Sequence, residues 1–190
     1  MKHSRSSSLI YTVAGLIGLM AISRWHHFGS VDFLPDASLA VFFLAGLWLG
    51  SRWVMWALVG VAVLVDTLAI QVAGVGGSCV TPAYGFLLLS YVMTWLAGRW
   101  SSRAAEQLST NSQARLVAIA VITFSIAFLI SNASFYALSG YFADQSVQTY
   151  ATNVSAYYLS YTGWSLLYLM LGLALKRIVQ RQPRFEPAST

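Results

Sequence analysis

The run Trp53-Val54-Met55-Trp56-Ala57-Leu58-Val59-Gly60-Val61-Ala62-Val63-Leu64-Val65-Asp66-Thr67-Leu68-Ala69-Ile70-Gln71-Val72-Ala73 contains a single ionisable side chain, Asp66. A helix needs about 20 apolar residues to cross a bilayer core, and this run has both the length and the composition. Asp66 lies about two turns from its C-terminal end, where a carboxylate costs about 2.5–3.5 kcal/mol on insertion scales referred to the helix centre. It must therefore face the bundle interior or a wet cavity. Two uses fit that position. One is binding of a substrate or cation. The other is a structural hydrogen bond, with Gln71 as a nearby candidate, or a carboxyl protonated by burial.

Five further apolar runs lie on either side of this one. The six are Leu9–Ser23, Asp36–Gly50, Trp53–Ala73, Pro82–Ala97, Leu116–Leu138 and Tyr150–Leu175, in a chain of 190 residues. Hydrophobic residues make up 57% of the chain and charged ones 9%, against about 25% charged in soluble domains. A soluble fold cannot hide that much apolar surface, so the lipid bilayer is the expected solvent. The expected fold is an all-α integral membrane protein with six transmembrane helices. No linker is long enough to fold alone, so residues 1–190 read as one domain, with 1–8 and 178–190 as polar tails.

Charge sets the expected orientation, since cytoplasmic loops are enriched in Lys and Arg. With the N-terminus inside, ten of the 11 basic residues fall on the cytoplasmic side: Lys2, Arg5, Arg52, Arg99, Arg103, Arg115, Lys176, Arg177, Arg181 and Arg184. Only Arg24 falls outside. This asymmetry accounts for the net charge of +5 without a nucleic-acid partner, and both termini are expected to be cytoplasmic. Lys2, Arg5, the first apolar run and Ala21-Ile22-Ser23 also have the look of a signal peptide; the expectation is a retained first helix. No P-loop occurs, so coupling to ATP would need another chain.

Small residues recur at four-residue spacing in the first two runs, as Ala14/Gly18 and Gly46/Gly50. Such spacing lets helix backbones approach closely, either within the bundle or at a docking face for a partner membrane protein. In the last run Tyr157, Tyr161, Trp164 and Tyr168 share one helical face. An aromatic belt at the membrane interface explains Tyr150, Tyr157 and Tyr158. A cavity open to the outside, lined by rings and hydroxyls, also accounts for the deeper Trp164 and Tyr168.

The lone cysteine, Cys79, lies in Val75-Gly76-Gly77-Ser78-Cys79-Val80-Thr81-Pro82 between the third and fourth runs. One cysteine makes no internal disulfide. Such a thiol can be a small buried hydrophobe, a nucleophile or a ligand to a soft or borderline metal. Gly76 and Gly77 permit close backbone approach, and a nearby helix N-terminus favours thiolate. His26 and His27, beside Trp25, fit surface positions at the interface. With Cys79 and Asp66 they also make an imaginable metal set, although the spacing matches no zinc motif.

Six apolar helices in about 190 residues resemble the S-components of energy-coupling-factor vitamin transporters. More narrowly, the resemblance is to the BtuM family of cobalamin transporters of Gram-negative bacteria. It is carried by Arg24-Trp25-His26-His27-Phe28-Gly29, Leu34-Pro35-Asp36-Ala37-Ser38, Asp66, and Gly77-Ser78-Cys79-Val80-Thr81-Pro82-Ala83-Tyr84-Gly85. It covers the first four runs, and the last third matches mainly in pattern.

The resemblance implies an S-component-like bundle in the bacterial inner membrane, with an extracytoplasmic corrinoid pocket. Cys79 would ligate cobalt and promote loss of the cyano ligand, with His27, Asp66 and Tyr84 in the same site. It also implies a coupling module in some relatives and independent action in others. Aromatic faces suit a wide, mostly apolar macrocycle with amide arms, and Asn132, Asn153, Tyr157 and Tyr161 are candidate partners for those amides. Two rival readings use the same residues. One is a membrane-embedded thiol enzyme with Cys79 as nucleophile and His26 or His27 as base. The other is a transition-metal permease built from Cys79, the histidines and Asp66.

Overall fold

Helix α2 (Ser38–Trp48) is the axis of the protein, because its sequence leaves it no polar face. Every residue from Ser38 to Leu47 is buried, as expected for a helix that is hydrophobic all round. Around it stand α1 (Lys2–Trp25), α3 (Arg52–Gln71), α4 (Tyr84–Trp100), α5 (Thr110–Leu138), α6 (Val147–Ser155) and α7 (Tyr158–Arg181). The computed structural model describes residues 2–25, 35–72, 77, 80–103 and 110–181, and among these it is all helical. α2 packs most extensively on α4, and α4 in turn on α5. α1 lies against α3, and α7 bridges α2 and α5.

The α2–α4 crossing depends on two glycines. A Cβ at Gly46 would collide with the carbonyl oxygen of Trp95, and one at Gly98 with that of Phe43. Gly50 has a different job: at φ +59° its N–H bonds the Ala45 carbonyl at 3.1 Å and ends α2 in the left-handed conformation that glycine favours. Of the two small-residue pairs, Gly46 thus serves packing inside the bundle. Gly18 meets no neighbouring atom where its Cβ would be.

Among the described residues three helices are long and apolar enough to cross a membrane: Arg52–Gln71, Thr110–Leu138 and Tyr158–Val179. Leu9–Trp25 and Ser38–Trp48 are shorter apolar helices. Large apolar side chains cover the exterior: Trp53, Trp56, Leu64, Leu129, Leu159 and Leu171 are each more than half exposed.

Helix boundaries depart from the expected runs chiefly at the outer ends of α1 and α7, at the start of α5 and within the last run. α1 already begins at Lys2 and α7 continues to Arg181, so helix extends into both segments expected as tails. α5 begins at Thr110, before the expected Leu116. The run Tyr150–Leu175 is two helices, not one. Ser146 caps α6 by accepting the Thr149 N–H at 3.2 Å, a standard N-terminal device. The helix ends after Ser155, where the polar stretch Thr152-Asn153-Val154-Ser155 offers the backbone other partners: Ser155 Oγ bonds the Thr152 carbonyl at 2.7 Å. A tight turn through Tyr157, whose N–H bonds the Val154 carbonyl at 3.0 Å, starts α7.

Candidate functional site

The site is built where α1, α3 and α5 end and α2, α4 and α7 begin. Arg24, in the last turn of α1, points into the bundle and is 2% exposed. Its Nε donates to Asp66 Oδ1 and its Nη2 to Asp66 Oδ2, both at 2.6 Å. Such a two-pronged guanidinium–carboxylate pair fixes geometry as well as charge. Nη1 reaches three oxygens: Tyr91 OH at 2.6 Å, Ser38 Oγ at 3.0 Å and Asp36 Oδ2 at 3.3 Å. Tyr91 is held by stacking on Phe42, with ring centroids 4.7 Å apart.

Asp36 organises the start of α2. Its Oδ1 accepts from Ser38 N at 2.9 Å and from Ser38 Oγ at 2.6 Å, an Asx-type turn. Ser23 Oγ accepts the Ala37 N–H at 3.1 Å and so ties α1 to the same point. Tyr84, the first residue of α4, donates its hydroxyl to Asp66 Oδ2 at 2.6 Å. Four helices are thereby joined through one buried carboxylate and one buried guanidinium.

A cavity of about 450 Å³ opens over this network, within the size range of small-molecule sites, roughly 300–1,000 Å³. Arg24, Asp36, Asp66, Tyr84 and Tyr91 form its polar part. Leu39, Leu87, Phe135, Tyr157, Tyr161 and Trp164 supply apolar and aromatic wall, and Ser131, Asn132, Ser160 and Ser165 add further polar groups. Phe128 sets the Tyr161 ring by an edge contact, with centroids 5.3 Å apart. Asn132 spends one amide hydrogen on the Phe128 carbonyl at 2.9 Å, and an amide has a second donor and an acceptor besides.

Asp66, Tyr84, Asn132, Tyr157 and Tyr161 therefore line one cavity. Cys79, His26 and His27 lie outside the described residues. Asn153 is exposed on α6 and is not part of the lining. Asp66 finds its hydrogen bonds in Arg24 and Tyr84, not in the Gln71 side chain. Of the aromatic face, Tyr157, Tyr161 and Trp164 reach the cavity, whereas Tyr168 is buried beside it and donates to the Pro35 carbonyl at 3.0 Å. Tyr150 and Tyr158 bond α5, through the Asn132 carbonyl at 3.0 Å and Ser125 Oγ at 2.7 Å.

Sequence reasoning passed over Arg24, Asp36, Ser38 and Tyr91 as members of the site. One signal pointed to Arg24: a carboxylate inside an apolar run needs a partner, and Arg24 is the single basic residue that the expected charge asymmetry leaves off the cytoplasmic side. Among the described residues no three His, Cys, Asp or Glu side chains come together as a metal site. The two carboxylates present are instead turned to one guanidinium. Comparison by sequence finds no matching protein-family model and no matching curated protein.

Proposed function

We propose that this chain is a six-span inner-membrane protein, both termini cytoplasmic, that binds cobalamin from the extracytoplasmic side and takes it up. The observation that carries the reading is the single cavity shared by Asp66, Tyr84, Asn132, Tyr157, Tyr161 and Trp164. It combines ring faces for a wide apolar macrocycle with amide and hydroxyl groups for its polar arms. It also opens at the end of the bundle opposite Arg52, Arg99 and Lys176, which agrees with an outward-facing mouth under the charge asymmetry.

A corrinoid with its nucleotide tail is larger than 450 Å³, so in this reading the macrocycle fills the mouth and its amide arms enter the cavity. Cys79, four residues before the cavity-lining Ala83, is the proposed lower axial ligand of cobalt. A thiolate there donates strongly and weakens the bond on the opposite face, from which cyanide leaves with its electron pair. The nucleotide base must vacate the lower face first, so the base-off form is favoured. His27 belongs to the same proposed site. The resemblance to S-components leaves room for an energy-coupling module as partner, and equally for action alone.

The test is spectroscopic. Protein purified after growth with cobalamin should carry one corrinoid, with an absorption spectrum distinct from free cobalamin. Cys79→Ala and Cys79→Ser should lose that spectrum and most of the affinity. Full occupancy with an unchanged spectrum in Cys79→Ala would sink the proposal.

A further inference from the structure

The opposite end of the bundle holds a second concavity, of about 720 Å³, between the end of α4 and the start of α5. Among the described residues three arginines line it, Arg99, Arg103 and Arg115, and no acidic residue does. The positive-inside bias explains why basic residues lie at this end. It does not explain why three of them, from two helices and the turn between α4 and residue 103, surround one groove.

The two walls have the same polarity gradient. Leu96 lies one turn before Arg99 on α4, and Arg103 follows three residues past the end of that helix. On α5, Arg115 and Ile119 are four residues apart. α4 runs toward this end and α5 away from it. Arg103 and Arg115 therefore stand at the rim, while Leu96 and Ile119 lie deeper, toward the middle of the bundle. Trp100 lines the groove with three-quarters of its surface exposed, and Leu96 is half exposed. Arg99 is steadied by the Trp95 ring, with its guanidinium 5.4 Å from the ring centroid.

We infer that this groove binds the headgroup of an anionic phospholipid of the cytoplasmic leaflet, with the phosphodiester between Arg103 and Arg115 and the acyl chains along Leu96, Trp100 and Ile119. Guanidinium forks match phosphate oxygens in geometry, and basic pockets between membrane helices suit acidic headgroups. A soluble phosphate compound would use the same arginines but would gain nothing from the exposed ring and aliphatic side chains beneath them. The inference rests on the membrane reading above and is independent of the cobalamin reading.

The experiment is native mass spectrometry of the full chain in detergent, titrated with cardiolipin, phosphatidylglycerol or phosphatidylcholine. Cardiolipin and phosphatidylglycerol should be retained, and phosphatidylcholine not. The double variant Arg103→Gln/Arg115→Gln should bind the acidic lipids on the order of 30-fold more weakly, from about one kcal/mol per lost charge. Arg52→Gln, which removes a charge outside the groove, should bind as the parent does. Because Arg103 and Arg115 are both exposed, the double variant should elute as the parent does on gel filtration, and Arg103→Lys/Arg115→Lys, which keeps the charge, should retain the acidic lipids. Equal lipid retention by the Gln double variant and Arg52→Gln would overturn the site. Displacement of the lipid by millimolar inorganic phosphate would overturn the lipid assignment in favour of a soluble anion. The membrane reading fails separately, if alkaline carbonate releases the chain from membranes.

Discussion

Arg24 and Asp66, 42 residues apart in the chain, form a two-pronged ion pair with both contacts at 2.6 Å, and each residue is 2% exposed. The pair sits at the floor of the cavity and carries four helices with it. Removing one partner of a buried pair leaves a charge without compensation and costs about 3–5 kcal/mol. Arg24→Met or Asp66→Leu alone should therefore lower the thermal midpoint in detergent sharply. The double variant Arg24→Met/Asp66→Leu should recover about half of the loss, because two apolar side chains can replace a buried pair at little cost. A double variant as unstable as the sum of the singles would show that the pair is not the coupling element.

Tyr84 bonds Asp66 from the rim of the same network. Tyr84→Phe removes one hydroxyl and keeps the ring, so its stability cost should be about 1 kcal/mol. Under the proposed function, corrinoid affinity, read by titration calorimetry, should fall more clearly, because Asp66 Oδ2 keeps its bond from Arg24 but loses the hydroxyl on the cavity side. Unchanged affinity would place Tyr84 in the scaffold alone.

Two tyrosines of α7 should separate cleanly. Tyr168 is buried and donates to the Pro35 carbonyl, so Tyr168→Phe should cost about 1 kcal/mol of stability and leave ligand affinity alone. Tyr157 is two-thirds exposed at the cavity mouth. Tyr157→Ala should leave stability within about 0.5 kcal/mol of the parent and, under the proposed function, weaken corrinoid binding. The opposite pattern would reverse the roles given to the two residues.

At the α2–α4 crossing, Gly46→Ala and Gly98→Ala each drive a methyl into a carbonyl oxygen. Each should destabilise by about 1–3 kcal/mol, the usual cost of overpacking. Gly15→Ala, where a methyl meets nothing within 4 Å, should be neutral or slightly stabilising through helix propensity. Thermal midpoints of the three variants decide this.

Topology is checked by fusing a fluorescent reporter that matures only in the cytoplasm to the C-terminus. The fusion should fluoresce. The same reporter placed between Gly140 and Tyr141, after α5, should stay dark.

The helical character was legible in the chain because hydrophobic run length is a local quantity. The run Trp53–Ala73 corresponds to α3 almost residue for residue, since its one hydroxyl, on Thr67, bonds the Val63 carbonyl one turn back and leaves the helix intact. Tyr150–Leu175 did not read correctly as one helix. Its apolar average hid the Ser and Thr hydroxyls near Ser155, and whether such groups bend a helix depends on what they can bond. Asp66 stood out by its cost alone, and Tyr157, Tyr161 and Trp164 by their shared face. Tyr168 shared that face but not that fate, because helical spacing gives a direction and not the depth of the neighbour it meets.

What the chain determined alone was its apolar, helical character and the one carboxylate inside a long apolar run that needed a partner. Those follow from the transfer energies of side chains taken one at a time or in short runs. Which residue satisfies Asp66, which glycine lets α2 touch α4, and which rings enclose the cavity were decided only in the tertiary structure. Each of those depends on a contact between distant segments, whose energy is absent until the helices pack.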